Sequence, residues 1–246
     1  MKVWAIGDPH LSFQNGVLTK PMSIFGKQWE NHPETIRKNW VSKVAEEDVV
    51  FVVGDISWAK KPSEVTEDLA FLGQLPGKKV FIRGNHDYWW ASLAKVQNLL
   101  PKGSTALNGG IIEFDHFVVG GVRLWDIPGL HWEPFYAHAF DKEMAKIDEN
   151  ILEKETRRFN SCLELLKKST LPKFLILHYP PSTPDLVETF YTKEIENAGI
   201  SHCIFGHLHD IKVANRKDCY GKKNGVTYHL TACDWIDFSP VEIAQF

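Results

Sequence analysis

The chain has 246 residues, of which 43% are hydrophobic and 24% charged, so a sizeable core is possible and wholesale disorder is excluded. Its formal net charge of −3 argues against a protein held to nucleic acid or a membrane by bulk charge. The four cysteines (Cys162, Cys203, Cys219, Cys233) form no CxxC pair, which argues against a zinc ribbon or a disulfide framework and predicts reduced thiols in a cytoplasmic protein.

The first ten residues, MKVWAIGDPH, hold one Lys and an apolar run too short for a signal peptide. No apolar stretch approaches a membrane span. Residues 3–6 predict a buried strand that ends at Gly7-Asp8-Pro9-His10. In extended chain Asp8 and His10 point to one side, as a carboxylate–imidazole ligand pair does. Residues 11–30 are irregular and predict a loop over the site, with Asn15-Gly16 as a turn.

Residues 33–47 predict a helix, with Ile36, Trp40, Val41 and Val44 at helical spacing and Pro33 in the first turn. Val49–Val53 is a second apolar strand and ends at Gly54-Asp55. One carboxylate at such an end can bridge two metals, although taken alone it reads more as a turn residue than as a ligand. Trp58 and Lys60 follow as candidates to face a site. Residues 62–75 predict a second helix, ended by Pro76-Gly77.

Residues 80–87 read VFIRGNHD. The apolar run predicts a buried strand, and Gly84 permits a sharp turn that presents Asn85, His86 and Asp87. An Asn oxygen suits a divalent metal. A His beside an Asp suits proton transfer, because a carboxylate can fix the ring's tautomer. Trp89 and Trp90 predict one core and one pocket residue. A helix carrying Leu93, Val96 and Leu100 runs to Pro101.

Residues 105–125 predict an antiparallel ribbon with glycine turns. Residues 126–140 form an aromatic, proline-containing stretch with His131 and His138, read either as a packed loop or as a substrate-shaping one. Residues 141–168 predict a charged helix, or two with a break near Asn150 or Asn160, N-capped by Asp141. The next strand, residues 174–177, ends at His178 and the stiff Tyr179-Pro180-Pro181. Residues 185–197 predict a helix closed by Gly199. A fifth strand at residues 203–205 ends at Gly206-His207-Leu208-His209, a His-x-His signal. The tail from residue 211 predicts strands closing a second sheet.

Five buried strands separated mostly by helices predict an α/β arrangement whose ligands collect outside the strands' carboxyl ends. The side chains delivered there are Asp8, His10, Asp55, Asn85, His178, His207 and His209. Seven oxygen and nitrogen donors, with no thiolate, suit two metals sharing a carboxylate, and fit Mn, Fe or Zn better than Ca.

The ordered set DPH, GD, GNHD, H and GHLH, spanning residues 8 to 209, resembles the calcineurin-like metallophosphoesterase superfamily. The resemblance implies a four-layer αββα sandwich, here one domain over residues 1–246, with a dinuclear metal site at one edge of the sheets. It implies that Asp8, His10 and His209 hold one metal, Asn85, His178 and His207 the other, and that Asp55 bridges them. It places His86 over the site as phosphate contact or general acid, supported by Asp87. Two such metals sit roughly 3.5–4 Å apart, activate a water and clamp the phosphoryl oxygens.

Departures from the superfamily's subgroups narrow the expectation. Ile-Ser-Trp-Ala-Lys follows Gly54-Asp55 where protein serine/threonine phosphatases carry Asp-Arg-Gly, and Asp87 stands where they carry Glu. His86 stands where the lipid A pathway pyrophosphatases place Arg. The rest resembles small bacterial-type phosphoesterases acting on small-molecule phosphate esters, with phosphodiesters slightly preferred. The alternatives are a phosphomonoesterase on a small metabolite, and a scaffold protein on the same fold, of which a retromer subunit is an example with eroded ligands. A nuclease is not favoured, since no long basic stripe is present. Trp58, Trp89, His131 and Tyr179 are the candidate pocket residues.

Overall fold

The computed structural model describes residues 1–135, 148–213, 216 and 219–246. In chain order it contains β1 (Lys2–Ile6), β2 (Phe13–Gln14), β3 (Val17–Leu18), α1 (His32–Val41), β4 (Val49–Val53), α2 (Thr66–Gly73), β5 (Lys78–Ile82), α3 (Leu93–Gln97), β6 (Thr105–Leu107) and β7 (Gly110–Glu113). It continues with β8 (Val118–Val122), α4 (Glu149–Leu166), β9 (Lys173–Leu177), α5 (Phe190–Asn197), β10 (His202–Phe205), β11 (Gly221–Lys223), β12 (Val226–Leu230) and β13 (Val241–Gln245).

Two sheets form the middle of the molecule, in the orders β13-β1-β4-β5-β6 and β11-β12-β10-β9-β8-β7. In the first, β1, β4, β5 and β6 are mutually parallel. In the second, β12, β10, β9 and β8 are parallel. Parallel pairing brings the carboxyl ends of each set to one edge. Where both faces are covered a strand is apolar along its length, as in β4, where all five residues are buried.

Three apolar cores make the layers. Val3, Phe51, Ile82, Phe174, Ile176 and Ile204 meet between the sheets. Trp4, Val52 and Phe81 face outward onto Ile36 and Trp40 of α1, Leu69 of α2 and Val96 of α3. On the second sheet, Leu175, Cys203 and Leu230 face Phe159 and Leu163 of α4 and Ile195 of α5. The expected αββα sandwich is therefore the architecture. Strand alternation (period 2) sends successive side chains to different cores.

Several boundaries differ from expectation, and hydrogen bonding accounts for them. α1 stops at Val41 because the chain then turns to offer the Ala45 N–H to Asp48, 3.0 Å away. α2 starts at Thr66 rather than residue 62, and α3 ends at Gln97. Thr105–Leu107 is not part of an antiparallel ribbon; it adds in parallel to β5 at the edge of the first sheet. β7 and β8 do form the expected antiparallel pair.

α4 is capped by Asp148, whose carboxylate accepts from the Asn150 and Ile151 N–H groups, and it runs unbroken through Asn160. The cap expected at Asp141, like His138, lies outside the described residues. α5 begins at Phe190, not 185, because Thr189 and Thr192 form a reciprocal capping box. Gly199 follows its last turn at φ +67°, as a left-handed helix end requires. The tail splits between the sheets: β11 and β12 extend the second, whereas β13 returns to pair antiparallel with β1.

Candidate metal centre

Loops at the carboxyl ends of β1, β4, β5, β9 and β10 meet at one edge of the sandwich. The Asp8 N–H donates to Gly54 O (3.0 Å) and the His10 N–H to Asp55 O (3.0 Å), so the first two loops travel together. The Gly7 N–H donates to Thr231 O (2.7 Å), past the end of β12, and ties the two sheets at this edge.

All seven expected ligands arrive here. The Nε2 atoms of His10 and His209 lie 3.2 Å apart. Asn85 Oδ1 lies 2.7 Å from His178 Nε2 and 3.0 Å from His207 Nδ1. Between these groups sits Asp55, with Oδ2 3.8 Å from His10 Nε2 and Oδ1 3.6 Å from His178 Nε2. The donor atoms of Asp8, His10 and His209 all lie within 4.8 Å of one another, as do those of Asp8, Asp55 and His178. Donors about 2.1 Å from a shared ion are themselves roughly 3 Å apart, so these separations suit metal coordination.

The route to this convergence differs from the extended chain expected for Asp8 and His10. Both adopt left-handed backbone (φ 55° and 45°), as do Asp55 (46°) and His207 (70°). Non-glycine residues occupy this region at an energetic cost that packing must over-determine, and such residues concentrate at functional sites. Glycines make the space. A Cβ at Gly84 would collide with the Asp55 carboxylate, and one at Gly206 with that of Asp8.

Electrostatics separate the carboxylates from the imidazoles. Burial raises Asp8 well above the usual carboxylate range and also raises Asp55; at Asp8 the charges of Asp55 and Asp234 add to this while His209 opposes it. Asp8 Oδ1 is buried without a hydrogen-bond partner. Burial depresses His10 and His207 well below the ordinary imidazole value and His178 to about 3, which keeps those rings neutral and able to donate a lone pair. The donor set therefore fits cations: two buried carboxylates, one with an oxygen lacking a hydrogen-bond partner, one amide oxygen, and the neutral rings of His10, His178 and His207.

Two rings are aimed by a second contact. His178 Nδ1 lies 3.1 Å from Val53 O, which leaves its Nε2 facing the site. His209 Nδ1 lies 2.7 Å from Asp234 Oδ1. Burial alone would lower His209, but the Asp234 hydrogen bond and the charges of Asp8, Asp234 and Asp55 raise it to about 9. Asp234 was missed from sequence. It follows β12, which lies parallel to β10, and the strand-end rule extended to alternating strands would have found it.

His86 sits beside the cluster, with ring Nε2 4.0 Å from Asp55 Oδ2 and its backbone N–H donating to Asp55 Oδ1 (2.8 Å). Its side chain is 35% exposed, against 2% for Asp55. Asp87 does not support it as expected. The Asp87 carboxylate is buried and accepts from the Ile56, Ser57 and Gly84 N–H groups and from the Trp89 indole, at 2.7–3.1 Å. It clamps the β5 turn onto the loop after β4. Trp89, for the same reason, is core rather than pocket.

Trp58 does reach the site: its ring stacks on His10 (centroids 4.9 Å) and lies 4.5 Å from His86. Tyr179 packs on His207 at 4.1 Å. Lys60 is exposed in a neighbouring hollow that shares Trp58, and His131 is exposed.

A four-layer αββα sandwich with Asp, Asn and His donors gathered at the strand ends defines a metal-dependent phosphoesterase fold. The family model described as calcineurin-like phosphoesterase matches residues 1–210, and the chain belongs to that family. Among curated proteins, an uncharacterized protein of Methanocaldococcus jannaschii is 34% identical over 88 residues, 35% of this chain and 47% of that protein. The gene 66 protein of Mycobacterium phage L5 is 38% identical over 58 residues, 24% of this chain and 28% of that protein. The chain thus matches less than half the length of each. A solved Thermus thermophilus structure shares the fold at TM-score 0.51 and 13% identity, covering 84% of this chain and 81% of that one. An Aquifex aeolicus protein of unknown function aligns at TM-score 0.48 and 17% identity over 98% of this chain and 95% of that one. Among the described residues, no helix is long and apolar enough to cross a membrane.

Proposed function

We propose that the chain hydrolyses small-molecule phosphate esters, phosphodiesters in preference to monoesters, with two transition-metal ions (Mn, Fe or Zn). Asp8, His10 and His209 hold one ion, Asn85, His178 and His207 the other, and Asp55 is shared. The observation that carries this reading is the convergence of donors from five strand ends around two buried carboxylates, one with an unpartnered oxygen. Bound there, the metal pair supplies Lewis acidity toward phosphoryl oxygen and acidifies water.

The chain's own residues supply the rest. Asp55 holds the His86 backbone through its N–H, so the ring stands at a fixed place at the rim of the cluster. From there His86 contacts the phosphoryl group and delivers a proton to the leaving oxygen. Asp87 is a positioning residue, because its four bonds set the turn that carries Asn85 and His86. The return of β13 to β1 supports one domain over residues 1–246. The unpaired thiols support a reducing, cytoplasmic setting.

The test uses protein stripped of metal and reloaded with Mn²⁺, assayed on bis(p-nitrophenyl) phosphate and p-nitrophenyl phosphate side by side. Metal-dependent cleavage favouring the diester is the expected result. A monoester preference overturns the substrate class, and no cleavage with no bound metal overturns the enzyme reading in favour of a scaffold.

A further inference from the structure

A cavity of about 190 Å³ opens directly beside the metal centre. Its polar lining is His10, His86 and His209, three of the rings just described, together with the exposed Asp210. Its other end is apolar: Met22, Phe25, Trp29 and Trp58. This wall comes from the segment after β3 and from the residue three past Asp55, and the family's ligand motifs contain none of it.

The wall is built rather than incidental. Trp29 is almost fully buried and meets His10 (6.0 Å), His209 (5.5 Å) and Phe238 (4.9 Å) edge-on. The Trp58 indole N–H is directed at Met22 Sδ, 3.3 Å away, so the one polar atom of that ring is satisfied within the wall. Phe25, by contrast, is 52% exposed, an apolar ring left at the cavity mouth. Water gains little in a space walled this way, whereas apolar area removed from water favours an occupant.

Size and position limit what that occupant is. A dry cavity of ~150 Å³ holds one benzene ring. The space here takes one such ring and its linking atoms, not a run of nucleotides or a peptide. Because His86 and His209 belong to both the cavity and the metal centre, a group in the cavity is attached to the phosphorus held at the centre. The geometry points to an ester-group subsite: Met22, Phe25, Trp29 and Trp58 select phosphate esters whose ester group carries a single aromatic ring. This rests on the phosphoesterase reading above and names its substrate class.

Phenylphosphonate and methylphosphonate test it, since they share a headgroup, resist hydrolysis and differ only in the ring. Binding to the Mn²⁺-loaded protein is measured by calorimetry, with tryptophan fluorescence as an independent readout from Trp29 and Trp58. The native protein should bind phenylphosphonate about tenfold more tightly than methylphosphonate. Phe25→Ala, at an exposed position where the fold is not at risk, should reduce that preference to about threefold or less while leaving methylphosphonate affinity unchanged. Met22→Ala should act in the same direction. Equal affinities in the native protein, or a preference unchanged in both variants, overturn the subsite alone. Failure of both phosphonates to bind overturns the subsite, and the phosphoesterase reading falls with it where the bis(p-nitrophenyl) phosphate assay also shows no metal-dependent cleavage.

Discussion

Asp8 and Asp48 stand at opposite ends of the first sheet and show two uses of one side chain. Asp48, before β4, accepts from the Lys2 N–H (2.7 Å), the Ala45 N–H (3.0 Å) and the Trp4 indole (2.9 Å). Burial opposes its charge, but these donors hold it below the usual carboxylate range. Asp8, after β1, is fully buried with one oxygen bonded to the His207 N–H (2.9 Å) and the other bonded to nothing. The protein satisfies Asp48 with its own donors, whereas at Asp8 it leaves one buried carboxylate oxygen without a hydrogen bond. One end of the sheet is built for stability, the other for cations.

The largest expected effect comes from removing the shared charge. Asp55→Asn should lower turnover on the order of a thousandfold, several kcal/mol of barrier. Bound metal, measured by mass spectrometry, should fall below two ions per chain, while the metal-free variant is no less stable than the native protein. A variant that keeps two ions and its activity would break the comparison at its site end.

Metal removal is the next lever. Mn²⁺ at about a hundred times its dissociation constant should stabilise the native fold by about 2.7 kcal/mol, read from denaturant midpoints with and without chelator. The same addition should stabilise Asp8→Asn by less, since only the ion held by Asn85, His178 and His207 then contributes. An equal gain in that variant would show that Asp8 is not where the ion is held.

Asp234→Asn sharpens the site end further. It removes the carboxylate that aims His209 but leaves a side chain of the same shape, so metal affinity should weaken about 10–100-fold, by competition with a chelating dye. Unchanged affinity would make Asp234 a structural residue only.

The smallest effect tests the stability end. Asp48→Asn should destabilise the protein by about 1–3 kcal/mol at pH 7. Asp48's folded pKa lies below its unfolded one, so this contribution is complete above the ordinary carboxylate value of ~3.9. It is lost as pH falls through the lower, folded value. The gap between variant and native unfolding midpoints should therefore be full at pH 7 and close as pH falls through that lower value. A gap that persists at low pH would assign the loss to packing.

The candidate ligands were legible because their chemistry is concentrated where apolar runs stop. A strand buried on both faces is nearly all apolar, so a polar residue just past its end stands out. Asp234 escaped because β12 alternates buried Val226, Tyr228 and Leu230 with half-exposed neighbours, which reads as an antiparallel strand although it lies parallel to β10. The role of Asp87 misled for the opposite reason. Its place next to His86 suggested a pair, but the turn swings its carboxylate back onto the loop after β4. The helix ends moved because caps such as Thr189 and Asp148 form on hydroxyls and carboxylates whose competing neighbours look equivalent in sequence.

By itself the sequence determined the layered α/β class, the strands that carry the site and the identity of their donors, since these follow from local periodicity and from turn residues. Only the tertiary structure decided which atoms meet. His10 and His209 are 199 residues apart in the chain, yet their Nε2 atoms lie 3.2 Å apart, a separation set by how two sheets pack. The left-handed turns at Asp8 and Asp55, the aim of His209 by Asp234 and the aromatic wall beside His86 depend on that packing in the same way. Local propensity acts over a few residues, whereas the edge where the sheets join is made by contacts remote in the chain.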